Sequence, residues 1–101
     1  MNDFAFLKEN WPAVLDRIRE DYALTNVSFN TWILPLKIQK VENGVVTLLV
    51  PDGEIAINIL TRKYTLPIRV SIEEVTGLSL EVRYVSPDMS APEEQRNDAI
   101  S

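Results

Sequence analysis

The side chains equipped for chemistry are few. The chain has neither His nor Cys, so it lacks the usual general base, the commonest metal ligand, thiolate nucleophiles and any disulfide framework. Catalysis would rest on carboxylates alone. Glu73-Glu74 is an adjacent acidic pair ahead of the C-terminal stretch, and neighbours on a helix point in different directions, which makes a solvated face a better reading than a shared catalytic proton. Gly44, Gly53 and Gly77 form neither a phosphate-cradling loop nor the Gly-x-x-Gly clamp of nucleic-acid-binding KH domains. No cofactor, metal or small-molecule substrate is expected. The densest basic stretch is Thr61-Arg62-Lys63-Tyr64 with Arg69 beyond it; Arg62, Lys63 and Arg69 could touch phosphate while Tyr64 stacks a base. A solvated helix end is the plainer reading of the same residues.

At 101 residues, nearly half of them apolar, the chain has room for one small core and no second domain. No apolar run approaches the roughly 18 residues of a membrane span, and the N-terminal residues lack the basic-then-apolar layout of a signal peptide. The expected setting is the cytoplasm, away from membranes. Residues 1–85 carry nine Lys or Arg against eleven Asp or Glu, whereas residues 86–101 carry one against four. A body this near neutrality attracts phosphate backbones only weakly.

From Asn10 to Tyr22 the apolar Trp11, Val14, Leu15, Ile18 and Tyr22 recur at helical spacing, with Asp16, Arg17, Arg19 and Glu20 between them, so an amphipathic helix is expected. Asn10 before Trp11-Pro12 has the form of a cap, although Phe4 and Leu7 lie on the same stripe and can carry the helix further back. Ser28 is placed to cap a short second helix on which Phe29, Trp32 and Ile33 share a face, and Pro35 ends it. Glu42-Asn43-Gly44-Val45 between apolar runs predicts a β-hairpin, because a type I′ turn needs positive φ at both central residues. Its second strand, Val45 to Val50, is apolar on both faces, so one face must meet helices and the other must be covered or lie near a partner. Asp52 offers a cap to a third helix with Ile55 and Ile59 on its apolar side, broken near Leu66-Pro67 and closed by Gly77. Leu78, Leu80, Val82 and Tyr84 alternate as a final strand. Residues 1–86 should form the domain, and residues 87–101, poor in anything to bury, a disordered acidic tail or the start of a linker. The fold class is α+β.

Taken in order, Trp11, Leu15 and Ile18, then Ser28-Phe29-Asn30-Thr31-Trp32-Ile33-Leu34-Pro35-Leu36, Gly44, Val50-Pro51-Asp52, Lys63-Tyr64, Ile68 and Thr76-Gly77 form a set that resembles domain I of the bacterial replication initiator DnaA. The match covers about residues 8–85. It implies a KH-like helix-helix-strand-strand-helix-strand fold, with a three-stranded sheet packed against helices. It also implies a non-enzymatic interaction hub in replication initiation that self-associates, recruits the replicative helicase, docks initiation regulators and in some members binds single-stranded DNA weakly. By position, the resemblance makes Trp11, at the start of the first helix, the self-association tryptophan, and Thr31, Trp32, Ile55 and Ala56 the regulator patch. Ser28 stands where some members carry an acidic residue implicated in helicase contact. Ile59 replaces a Trp, and the runs at Ala23–Val27 and Pro51–Tyr64 are longer than the family pattern.

Three functions compete. The first is a protein-interaction domain of replication initiation, and the second a weak single-stranded nucleic-acid binder built on Arg62, Lys63, Tyr64 and Arg69. The third is a stand-alone regulator or decoy of the initiator.

Overall fold

The computed structural model describes residues 2–87; of the expected tail at 87–101, all but its first residue lies outside the described residues. The first helix, α1 (Asp3–Asp21), is longer than the Asn10 cap implied. Its start is set by Asn2, whose side-chain oxygen accepts the Ala5 N–H at 2.7 Å, satisfying one of the donors a helix N-terminus leaves free. Asn10 instead lies within α1 and donates its side-chain amide to the Phe6 carbonyl at 2.8 Å. Trp11 and Pro12 are consequently mid-helix residues, so Trp11 is not at the helix start. Pro12 withholds the N–H that the Lys8 carbonyl would otherwise accept. Leu7, Val14 and Ile18 are wholly buried along one face of α1.

Thr25, not Ser28, caps the second helix, its hydroxyl accepting the Ser28 N–H at 3.1 Å. After the single turn of α2 (Asn26–Ser28) the backbone widens into a π turn over Phe29–Ile33, closed by the Leu34 N–H donating to the Phe29 carbonyl five residues back at 2.9 Å. This wide turn sends Phe29 and Ile33 into the core and leaves Trp32 partly buried at its margin.

Strands β1 (Lys37–Glu42) and β2 (Val45–Leu49) form the expected hairpin. Asn43 and Gly44 take φ values of 53° and 75°, as the type I′ turn demands. A bulge between Ile38 and Lys40 interrupts the register of β1. The third strand, β3 (Glu81–Val85), lies parallel to β2, giving a mixed sheet of order β1-β2-β3. On the helix side Val46 and Leu48 are fully buried. On the other face Thr47 is 3% exposed, with Lys40 and Arg83 as its lateral neighbours in the register.

A parallel β2–β3 pair requires a crossover, and the chain makes it with α3 (Glu54–Ile59), a second π turn (Leu60–Tyr64) and α4 (Thr65–Thr76). Gly53, at φ 88° and ψ −159°, occupies the cap position in place of Asp52, in a region of backbone space that glycine alone enters freely. The start of α3 is therefore rotated from the expected phase. Ala56 and Leu60 are buried, and Ile55 is 77% exposed. Thr65 pins the second π turn: its hydroxyl lies 3.2 Å from the Leu60 and Thr61 carbonyls and 2.9 Å from the Tyr84 hydroxyl on β3. Gly77 closes α4 in the left-handed conformation, its N–H donating to the Glu73 carbonyl at 2.8 Å. Helices α1 and α4 pack together, and Ser71 and Ile72 of α4 are wholly buried in the layer they share with the sheet. No helix among the described residues is long and apolar enough to cross a membrane.

Candidate functional site

An open cleft of about 370 Å³ lies where α1 meets the beginning of β1, lined by Lys8, Trp11, Pro12, Leu36, Lys37 and Ile38. Each wall follows from local sequence. Lys8, Trp11 and Pro12 fall at i, i+3 and i+4 on α1 and so share a face, while Pro35 turns the chain so that Leu36 enters the core and Lys37 emerges beside it. Trp11 is partly buried, packed against the core cluster at its edge. Its indole N–H is out of contact with solvent and has no acceptor among the described residues, a costly state for a buried donor. Neither lysine joins an ion pair among the described residues; Lys8 lies over the Phe4 ring, 5.7 Å from its centroid. The cleft therefore combines an apolar floor and two cations.

The residues of the expected regulator patch do not share one environment. Thr31 is exposed, Trp32 partly buried and Ile55 nearly free, whereas Ala56 is 3% exposed and part of the core. A partner can touch Ile55 directly. Ala56 can only support the backbone beneath it. Ser28 is partly buried, its backbone N–H held by the Thr25 cap.

The basic group divides in the same way. Arg62 and Lys63 are exposed and line a hollow with Ile59, and neither has a carboxylate partner among the described residues. Tyr64 packs against the core cluster, and Arg69 reaches Glu81 on β3 at 3.5 Å. Two cations, rather than three cations and a stacking ring, are left to meet an anion. Glu74 pairs with Arg17 of α1 at 3.8 Å while Glu73 is exposed beside it, which makes that acidic pair a solvated face. Among the described residues no group of acidic side chains could hold a metal ion.

Sequence reasoning found Trp11 but missed Lys8, Leu36, Lys37 and Ile38 as its neighbours. The available signal was Pro35, which fixes where β1 starts and so which of its residues face α1. Among the described residues the one clearly shifted ionisable group is structural: burial pushes the Tyr84 hydroxyl above its ordinary value of 10.0, partly opposed by its hydrogen bond with Thr65.

With this geometry in view, comparison with known proteins is informative. A family model described as the DnaA N-terminal domain matches residues 8–74. A chromosomal replication initiator protein DnaA from Lachnoclostridium phytofermentans is 32% identical over 94 residues, which cover 90% of this chain and 21% of the relative. The chain thus spans about a fifth of that relative's length.

Proposed function

Because the chain belongs to the DnaA N-terminal domain family, we propose that it is a protein-interaction domain of chromosomal replication initiation and not an enzyme. It works in the cytoplasm by self-association with the initiator, recruitment of the replicative helicase and docking of initiation regulators. The observation that carries the reading is Trp11, a large aromatic held half out of the core at the margin of an open, mostly apolar cleft. Aromatic residues in such positions are enriched among interface hot spots. Regulators meet Thr31, Trp32 and Ile55 on a separate surface, with Ala56 as its support. Ser28 removes the negative charge that some family members present to the helicase, so the helicase contact here relies on shape and apolar area.

The test is sedimentation of the parent and of Trp11→Ala across a concentration series, paired with capture of the host helicase. Truncating a fully buried Trp costs about 3–5 kcal/mol, and the partial exposure of Trp11 brings the expected loss below that range. The variant should remain folded and lose concentration-dependent dimerisation. A parent that is monomeric throughout, or a variant that dimerises as well as the parent, removes the self-association role. Failure of the folded parent to capture the helicase at micromolar concentration removes the recruitment role.

A second reading is favoured by one observation, the unpaired Arg62 and Lys63 beside Ile59. On that reading the domain binds single-stranded DNA through two phosphates, and log affinity falls against log salt with a slope near −1.4, from about −0.7 per phosphate. Binding that ignores salt rules it out.

A further inference from the structure

We propose that the cleft between α1 and β1 is the docking site of the chain's own acidic segment, residues 88–101, which lays a carboxylate between Lys8 and Lys37. The sheet register puts the start of that segment near the cleft. Lys37 of β1 stands opposite Leu49 of β2, and Leu49 stands opposite Val85 of β3, so the chain leaves β3 at the same end of the sheet at which the cleft opens. Two strand spacings, about 10 Å, separate those rows. Fourteen residues can extend to about 45 Å, which makes the reach ample.

Charge favours this occupant. Residues 88–101 carry Asp88, Glu93, Glu94 and Asp98 against Arg96, while the cleft offers two lysines without carboxylate partners among the described residues. Met89, Ala91, Pro92 and Ile100 give the same segment apolar groups for the floor formed by Pro12, Leu36 and Ile38. Docking in cis covers Trp11, so any partner that uses this face must first displace the segment. The inference shares Trp11 with the self-association reading but does not depend on it.

The chain has no native Cys, so a nitroxide attached at Gln95→Cys reports on the full chain without background. At low ionic strength the label should broaden the amide signals of Lys8, Lys37 and Ile38 and the Trp11 indole signal. A tethered but undocked segment also broadens its surroundings to some degree. The comparison is therefore with the Lys8→Glu, Lys37→Glu double variant, whose substitutions are both at exposed positions and whose tether is identical. Most of the broadening at the cleft should be lost in that variant and in 1 M salt, where the screening length falls to about 3 Å. Equal broadening in parent and variant overturns the proposal, as does broadening centred on Arg62 and Lys63. Broadening found only between labelled and isotopically enriched chains in a mixed sample assigns the segment to a second copy and overturns docking in cis. A chain that stays monomeric in sedimentation yet shows the charge-dependent effect keeps this inference and loses self-association; a chain that dimerises without the effect does the reverse.

Discussion

Individual side chains in this domain are divided between holding the two wide turns and facing outward, and Tyr84 shows the first role. Its hydroxyl meets that of Thr65, which also lies against the carbonyls of Leu60 and Thr61, so one contact joins β3 to the π turn between α3 and α4. Tyr84→Phe should cost about 1 kcal/mol, the typical worth of such a hydrogen bond, read from the urea midpoint. Burial raises the Tyr84 pKa in the folded state. The neutral form is therefore the one the fold favours, and this contribution is complete below the unfolded value of 10.0 and lost as pH rises through the higher folded value. The parent should lose stability above pH 10 more steeply than Tyr84→Phe, in midpoints measured at neutral pH and again in that alkaline range. Parallel pH curves would show that the phenol titrates alike in both states.

Among the elements, α1 carries the clearest internal conflict, because Pro12 sits inside a 19-residue helix where it removes a backbone donor and crowds the preceding turn. Pro12→Ala restores the N–H to the Lys8 carbonyl and should raise stability by about 1–2 kcal/mol, part of the roughly 3 kcal/mol that separates Pro from Ala in helix interiors. The same change removes one wall of the cleft, so ligands of that face should bind less well to the more stable protein. A urea titration beside a binding titration checks both halves. What the sequence disclosed about the elements depended on the range of the signal. The hairpin at Asn43-Gly44 and the close of α4 at Gly77 are set by the φ of single residues, and both stand where expected. The helix starts moved to Asn2, Thr25 and Gly53, because several neighbouring residues can cap and only packing chooses among them. The third of these shifts rotated α3 and exposed Ile55 in place of burying it. The spacing placed Trp11 on the helix stripe, and its partner role came from the resemblance alone. The cleft around it was not legible, since Lys8 and Lys37 meet only through tertiary packing of α1 on β1.

At the level of the whole molecule, every buried core side chain among the described residues lies between Leu7 and Tyr84, and the third strand ends at Val85. A chain ended after Pro87 therefore keeps all the apolar burial found among the described residues, the term that drives folding. Its urea m-value, which follows the surface exposed on unfolding, should therefore fall only slightly. Its midpoint should shift by no more than about 0.5 kcal/mol, the usual range for changes remote from packed or strained groups. Docking of residues 88–101 on the Lys8 and Lys37 cleft adds to the full chain only at low salt, because exposed ion pairs contribute at most about 1 kcal/mol and are screened. The comparison should accordingly be made twice. In 0.5 M salt the full and shortened chains should unfold together, and in dilute buffer the full chain should hold a small advantage that disappears in its Lys8→Glu, Lys37→Glu variant. A large loss on shortening that persists in high salt would mean that residues beyond Pro87 are part of the folded core, and the boundary drawn at the end of β3 would then be wrong.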